Sequence, residues 1–237
     1  FALRYESTIP RQVGLAGSSA IVISALRCMA EHAGIEVPLT VLPSIALRVE
    51  TGQLGITAGL QDRVVQTLGG LVAMDFATMS TDARFGVAHG RYEQMDVAGL
   101  PPLFLAFREA AAEPSEVYHG NLRARLEAGE PLVRETMHRL AALVIEGRAS
   151  LRWGDHDRFG QLLNENMELR RGLGPLPPRQ IELVDFASSL EAPSNFAGSG
   201  GAIVGVYIDD DHLAQLTAGF ARLEAGVIPL TLPGLYT

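Results

Sequence analysis

Apolar and polar residues follow one another along the chain in blocks that predict helices separated by short strands. The elements predicted in the first hundred residues are a strand at 1–9, helices at 18–33, 44–50 and 64–68, and a buried strand at 71–76. The polar segment 77–99 contains glycines and predicts a mixture of strand and loop. This part of the chain is therefore expected to combine helices with strands.

A proline pair at 101–102 is followed by an apolar segment that predicts a new strand at 103–107. We place a domain boundary there, which gives an N-terminal domain of 1–100 and a C-terminal domain of 101–237. The other predicted elements of the second domain are helices at 116–128, 131–151, 155–173, 180–190 and 212–225, and a strand at 203–208. The residues expected to form the buried stripe of the 131–151 helix are Leu132, Thr136, Leu140, Leu143 and Ile145.

Two glycine-containing stretches are candidates for ligand binding. The first, 14–20, leads directly into the first predicted helix, which Ser18 or Ser19 can cap. Small residues let a backbone approach a ligand closely, and the amides at a helix start attract anions, phosphate above all. A structural turn before a buried helix is the alternative. The second stretch, 195–202, precedes the predicted strand at 203–208 and indicates a tight turn or a close backbone approach.

Acidic residues also stand at predicted helix starts. Asp62 lies at a loop-to-helix junction, where it either serves catalysis or complements the helix dipole. The aspartates at 209–211 suggest a metal site, but the favoured explanation is a solvated helix start.

The composition excludes several classes of protein. All 19 basic residues are arginine, which rules out a Gly-Lys-Ser/Thr phosphate loop, the strand lysine of protein kinases and a lysine Schiff base. A net charge of -8 argues against a nucleic-acid surface. The single cysteine, Cys28, can form neither an internal disulfide nor a cysteine metal cluster. With no apolar run of membrane-spanning length, we expect a cytoplasmic protein without nucleic-acid or membrane partners.

The residues of both glycine stretches resemble a known family. The nucleotide loop of the GHMP kinases (galacto-, homoserine, mevalonate and phosphomevalonate kinases) has the form Pro-x3-Gly-Leu-Gly/Ser-Ser-Ser-Ala. It is similar to Pro-Arg-Gln-Val-Gly-Leu-Ala-Gly-Ser-Ser-Ala at 10–20. The family's C-terminal glycine motif is similar to 196–202, in the same order and at a matching separation. Three more segments resemble the glucuronokinase-like sugar kinases of this family, namely 55–64, 69–76 and 100–103.

This resemblance implies an α+β fold of two domains, with a ribosomal S5 domain 2-like N-terminal half and a ferredoxin-like C-terminal half. It implies that nucleotide and sugar bind in the cleft between the two halves. ATP would be held by backbone amides, Mg²⁺ by Ser19 and Glu50, and the sugar hydroxyl would be oriented or deprotonated by Asp62. The nucleotide-binding residues that it implies are Gly14, Leu15, Ala16, Gly17, Ser18, Ser19, Ala20, Gly198, Ser199, Gly200 and Gly201.

The chain also departs from the family pattern. The first family motif supplies a strand, sugar contacts and often a basic residue that faces the catalytic aspartate. We find no counterpart of it and expect it to be absent, with sequence missing before Phe1. Arg63 is not expected to replace that basic residue, because neighbouring helical side chains point in different directions. Ala16 stands where the family commonly has Gly or Ser.

The function implied by the resemblance is ATP- and Mg²⁺-dependent phosphorylation of the anomeric hydroxyl of a sugar or uronic acid. D-Glucuronate is the best single candidate for the substrate. The alternatives are another sugar 1-kinase, acting on arabinose, galactose or a heptose phosphate, and a non-catalytic member of the fold that senses a sugar or nucleotide.

Overall fold

The computed structural model describes residues 1–11, 13–56, 58–108, 116–198 and 201–231, with the backbone alone for 116–121. Across these residues the chain forms eight α-helices and six β-strands, and all the strand pairs are antiparallel. The predicted mixture of helices and strands is therefore confirmed. Within the described part of the chain, no helix is both long enough and apolar enough to cross a bilayer.

The chain divides into two compact units. The first unit comprises Phe1–Ile9 and Ala16–Val97, and the second comprises Pro10–Leu15 and Ala98–Thr231. The chain thus passes from the second unit into the first between Leu15 and Ala16, in the middle of the first glycine stretch. Each unit contributes a different part of that stretch.

The first unit contains three helices and a hairpin. Its elements are α1 (Gly17–His32), α2 (Leu42–Gly52), α3 (Leu60–Leu68), β1 (Leu71–Asp82) and β2 (Val87–Met95). The helices pack together, and a small apolar core forms around Ile23, Leu42 and Ala46. The two strands pair antiparallel, with a register shift between Asp75 and Ser80. The strand predicted at 1–9 is wrong: this segment is mostly exposed and pairs with no described strand.

The second unit is built on a four-stranded sheet. Its elements are β3 (Leu103–Phe107), α4 (Glu116–Glu127), α5 (Pro131–Trp153), α6 (His156–Gly172), α7 (Pro178–Ser189), β4 (Ser194–Phe196), β5 (Ala202–Val206), α8 (Asp210–Arg222) and β6 (Gly226–Pro229). The strand order is β4-β5-β3-β6. The main apolar core includes Phe104 and Ile203 from the sheet, and Leu183, Leu216 and Phe220 from α7 and α8. This sheet sets the position of the second glycine stretch, which connects β4 to β5.

Charged side chains join α5 to α6. Arg139 on α5 donates to both carboxylate oxygens of Glu165 on α6, at 2.5 and 2.8 Å. Glu146 on α5 also accepts hydrogen bonds from Arg139 and from Arg158 on α6. These hydrogen bonds hold the pKa of both glutamates below its ordinary value. The network therefore favours the ionised carboxylates, and it links two helices that lie far from the candidate site residues in sequence.

Candidate functional site

The first glycine stretch forms a turn that leads into α1. Gly14 has a φ of 74° and Ala16 a φ of 53°, so both adopt the left-handed conformation that favours glycine. The helix begins at Gly17 with Ala16 as its N-cap, and neither Ser18 nor Ser19 caps it. The first amides of an α-helix have no partner within the helix, which makes this end of α1 suited to binding an anion.

The carbonyl of Ala16 fixes the conformation of this turn. It accepts hydrogen bonds from the Ala20 amide at 3.2 Å and the Ser19 hydroxyl at 2.9 Å, both in α1. A third comes from the side-chain amide of Gln66 on α3, at 2.8 Å. The left-handed conformation costs an alanine about 1 kcal/mol, so these three donors offset an unfavourable backbone. Ser19 is fully buried, so its hydroxyl stabilises the turn through the hydrogen bond to Ala16.

A buried carboxylate on α2 is the second component of the site. Glu50 is fully buried, and its Oε2 lies 2.8 Å from Nε and 2.7 Å from Nη2 of Arg63 on α3. The other oxygen, Oε1, accepts a hydrogen bond from the Ser18 hydroxyl at 3.4 Å. Arg63 also donates from Nη1 to the carbonyl of Gly59 at 2.8 Å. The guanidinium therefore neutralises the buried charge and leaves one carboxylate oxygen directed at an exposed serine.

Asp62 is the third component, and it lies in the first turn of α3. Its side chain is 48% exposed, and its Oδ2 is 3.7 Å from Nη1 of Arg63. One guanidinium thus lies between the buried carboxylate of Glu50 and the accessible carboxylate of Asp62. Contrary to expectation, the two adjacent side chains of α3 do approach each other. The arrangement leaves Asp62 able to accept a proton or a hydrogen bond from a ligand.

The structure pairs Glu50 with Ser18, whereas the sequence points to Ser19 as its partner. Ser18 is exposed and reaches Glu50 Oε1, while the buried hydroxyl of Ser19 donates to the Ala16 carbonyl. Mg²⁺ binds hard oxygen ligands and usually takes one or two protein carboxylates together with phosphate oxygens. A carboxylate oxygen and a hydroxyl 3.4 Å apart fit that requirement. Among the residues described, no cluster of three or more His, Cys, Asp or Glu side chains could hold a metal on its own.

The second glycine stretch contacts the first within the second unit. A Cβ added to Gly198 would lie 2.8 Å from the carbonyl oxygen of Gly14. A Cβ added to Gly201 would lie 2.9 Å from the carbonyl carbon and oxygen of Val13, and Gly201 has a φ of 91°. Both glycines are therefore required by the close approach of the two backbones. Ser199 and Gly200, the other predicted members of this stretch, lie outside the residues that the structure describes.

Polar side chains fix the entry to the second stretch. Asn195 on β4 donates to the side chain of Asn166 at 2.6 Å and accepts from Arg170 at 3.2 Å, both on α6. The guanidinium of Arg170 also lies 5.1 Å from the ring centroid of Phe196. After the stretch, the amide of Arg108 donates to the Gly201 carbonyl at 3.3 Å. The second stretch is thus held by residues from α6 and by Arg108, which directly follows β3.

An added methyl group is expected to affect stability differently in the two stretches, and this difference tests their packing. We expect Gly201→Ala to lower the free energy of unfolding by about 1–3 kcal/mol, because the left-handed backbone and the Val13 carbonyl both oppose a side chain. Gly17→Ala is the matched control, since its Cβ would meet only Ile9 Cγ2, at 3.6 Å. Denaturant unfolding of both variants measures the difference. Equal stabilities would contradict the contact between the stretches.

Sequence reasoning did not identify two side chains of α3 that organise the site. Arg63 pairs with a residue 13 positions away, and Gln66 reaches the Ala16 carbonyl across 50 positions. The available signal is helical spacing: Arg63 shares the buried face of α3 with Val64 and Thr67, whereas Gln66 follows Asp62 by about one turn. That spacing indicates which residues share a face, but it cannot name their partners.

Comparisons with known proteins find one family in both halves of the chain. The family model for the GHMP kinases N terminal domain matches residues 1–70. The model for the GHMP kinases C terminal matches residues 130–223. The crystal structure of L. major mevalonate kinase in complex with R-mevalonate shares the fold, with a TM-score of 0.71 and 16% sequence identity over 91% of this chain and 65% of that chain. The predicted two-domain α+β fold is therefore confirmed.

Two curated relatives from Arabidopsis thaliana are much more similar in sequence. Glucuronokinase 1 is 41% identical over 209 residues, which cover 86% of this chain and 56% of the relative. Probable glucuronokinase 2 is 40% identical over 210 residues, with the same coverage of 86% and 56%. The chain thus spans little more than half the length of these two proteins.

The comparisons overturn one expectation. The first family motif was expected to be absent, yet the N-terminal domain model matches from residue 1 through residue 70. The expectation that this motif has no counterpart in the chain is therefore wrong. The match instead extends over α1, α2 and α3.

Proposed function

Because the chain belongs to the GHMP kinase family, we propose that it is an ATP- and Mg²⁺-dependent kinase that phosphorylates the anomeric hydroxyl of a sugar. D-Glucuronate is the proposed substrate, supported by the similarity to the two plant glucuronokinases. The observation that carries the proposal is the constellation in the first unit. Beside the start of α1, the Ser18 hydroxyl lies 3.4 Å from Glu50 Oε1, and Glu50 Oε2 lies 2.7 Å from Arg63 Nη2. Arg63 Nη1 in turn lies 3.7 Å from Asp62 Oδ2.

The backbone amides at the start of α1 are proposed to bind the phosphates of ATP. Residues 14–20 bring small side chains and a helix N-terminus together, which favours a phosphate without any lysine. Gly198 and Gly201 are proposed to take part, because their backbone packs directly on Val13 and Gly14. Ser199 and Gly200 stay predicted members of the nucleotide site.

Ser18 and Glu50 are the proposed magnesium ligands of this chain. Glu50 offers Oε1, because Arg63 already occupies Oε2, and Ser18 offers its hydroxyl. Bound Mg²⁺ would neutralise phosphate charge during the transfer. The contact to Arg63 would keep the carboxylate of Glu50 oriented toward Ser18.

Asp62 is the proposed base or orienting group for the sugar. Its carboxylate would accept the proton of the anomeric hydroxyl, whose oxygen forms a bond to the γ-phosphorus as the bond to the β-γ bridging oxygen breaks. ADP leaves with the electron pair of that broken bond. Phosphoryl transfer mainly requires the protein to position the reactants and to neutralise the charge on the phosphates, and these residues can do both.

The choice between the two serines gives a direct prediction. We expect Ser18→Ala to raise the Mg²⁺ concentration required for half-maximal activity about tenfold, the loss seen when a metal site is weakened. Ser19→Ala should leave that concentration unchanged and lower stability by about 1 kcal/mol, since it removes a hydrogen bond to Ala16. Magnesium titrations and denaturant unfolding measure both effects. If only Ser19→Ala raised the Mg²⁺ concentration required for half-maximal activity, Ser19 rather than Ser18 would be the magnesium ligand.

A panel of acceptors tests the proposed function. Purified protein is mixed with Mg²⁺, ATP and one sugar at a time, and ADP release is measured for D-glucuronate, arabinose, galactose and a heptose phosphate. We expect the highest kcat/KM with D-glucuronate. Preference for a neutral sugar would keep the reaction type and change the substrate. Binding of nucleotide without ADP release from any acceptor would favour a non-catalytic sensor.

A further inference from the structure

The side-chain amide of Gln66 joins the helix that carries Asp62 to the first glycine stretch. Its Nε2 donates to the carbonyl of Ala16 at 2.8 Å, across 50 positions of sequence. Gln66 and Asp62 are four residues apart on α3 and therefore lie on the same side of the helix. The side chain thus connects the turn before α1 to the face that presents the proposed base.

The residue that Gln66 holds has an unusual backbone. Ala16 has a φ of 53°, a conformation that alanine rarely adopts, and it directly precedes the first amide of α1. Two of the three donors to its carbonyl belong to α1 itself. Gln66 is the described donor that comes from another helix, so it sets where the turn lies relative to α3.

The burial of the amide argues that Gln66 contributes little net stability. Its Oε1 is buried and has no hydrogen-bond partner among the described residues. Leaving a buried acceptor unsatisfied costs about as much as one hydrogen bond gains. An apolar side chain of the same length would avoid that cost, so stability alone does not account for a glutamine at this position.

We propose that Gln66 is a positioning residue that fixes the phosphate-binding turn at a set distance from Asp62. The proposal rests on the proposed kinase function. In-line transfer requires the γ-phosphate and the sugar hydroxyl to be aligned, and misplacement by about 1 Å can cost 10²-fold in rate. By holding Ala16, Gln66 aligns the amides that bind phosphate with the carboxylate that binds the hydroxyl.

The test compares Gln66→Met with a control glutamine on β2 that also donates to a backbone carbonyl of α3. Gln94→Met removes an exposed bond of the same type, because Gln94 Nε2 donates to the carbonyl of Leu68, the last residue of α3, at 2.6 Å. We expect Gln66→Met to lower kcat about tenfold or more, to raise the KM for ATP about tenfold and to weaken stabilisation by Mg²⁺-ADP in thermal melting, while the KM for the sugar and the ligand-free melting temperature stay near wild type. Gln94→Met should change neither KM.

Two results would overturn the proposal. One is a Gln66→Met variant whose kcat and KM for ATP both stay within about twofold of wild type, differences too small for a lost buried hydrogen bond. The other is a fall in the ligand-free melting temperature with both KM values raised together, which would mark a purely structural role. Failure of the proposed function looks different, because wild-type protein would then gain no thermal stability from Mg²⁺-ADP and release no ADP.

Discussion

Replacing Asp62 by asparagine is expected to lower turnover by roughly 10²-fold or more, the usual contribution of a general base. The affinity for ATP should stay nearly unchanged, because the role proposed for this side chain concerns the sugar hydroxyl and not the nucleotide. Steady-state kinetics with saturating ATP and the preferred sugar measure the effect. The prediction uses the 48% exposure of Asp62, which leaves its carboxylate open to a substrate.

The chain offers a control for the competing explanation of Asp62. Asp157 likewise lies in the first turn of its helix, α6, and it is exposed. If Asp62 only complements a helix dipole, then Asp62→Asn and Asp157→Asn should have similar small effects on stability and none on turnover. Near wild-type turnover in Asp62→Asn would remove this residue from the mechanism.

The largest effect on stability is expected from Arg63→Met. Removing one partner of a buried ion pair leaves the other charge unpaired, so we expect the free energy of unfolding to fall by about 3–5 kcal/mol. Arg63 is 4% exposed and Glu50 is 0% exposed, and the guanidinium also holds the Gly59 carbonyl. Urea or guanidinium unfolding of the ligand-free protein measures the loss.

A surface pair provides the matched control for Arg63. Arg123 and Glu127 on α4 form an i,i+4 pair at 3.0 Å with side chains 82% and 66% exposed. Exposed pairs of this kind contribute about 0–1 kcal/mol, so Arg123→Met should change stability very little. If both variants lost the same small amount, the buried pair would not be the element that holds α2 against α3.

Local sequence carries enough information to predict most elements of this fold. α1 is predicted because an apolar helical pattern runs from the first glycine stretch to Gly34, and the structure ends this helix at His32. The hairpin in 77–99 was only partly predicted, because β1 continues through exposed positions and the buried positions of β2, Val87 and Gly90, do not alternate regularly with exposed ones. Alternation is informative only where one side of a strand is covered.

The stripe predicted on α5 shows a limit of counting apolar residues. Thr136 and Leu143 are buried as expected, but Leu132 is 49% exposed and Ile145 is 72% exposed. Ile145 does not continue the i, i+4, i+8, i+11 series that begins at Leu132, so it lies on a different side of the helix. An apolar residue off the series need not belong to the core.

The site residues divide by the range of the contacts that hold them. Asp62, Glu50 and the glycine stretches were predicted from motif resemblance, and their roles stay predictions. Arg63 and Gln66 were missed because their importance depends on partners 13 and 50 positions away, which no local pattern specifies. The preference of Glu50 for Ser18 over Ser19 depends on where α1 starts, and the left-handed residue Ala16 determines that start.

Identification of the product tests the central claim most directly. Purified protein is incubated with D-glucuronate, ATP and Mg²⁺, and the product is analysed by phosphorus and proton NMR. We expect a sugar phosphate whose anomeric proton is coupled to phosphorus, formed together with ADP. A phosphate on any other hydroxyl, or ATP that stays intact with every sugar of the panel, would contradict an anomeric sugar kinase.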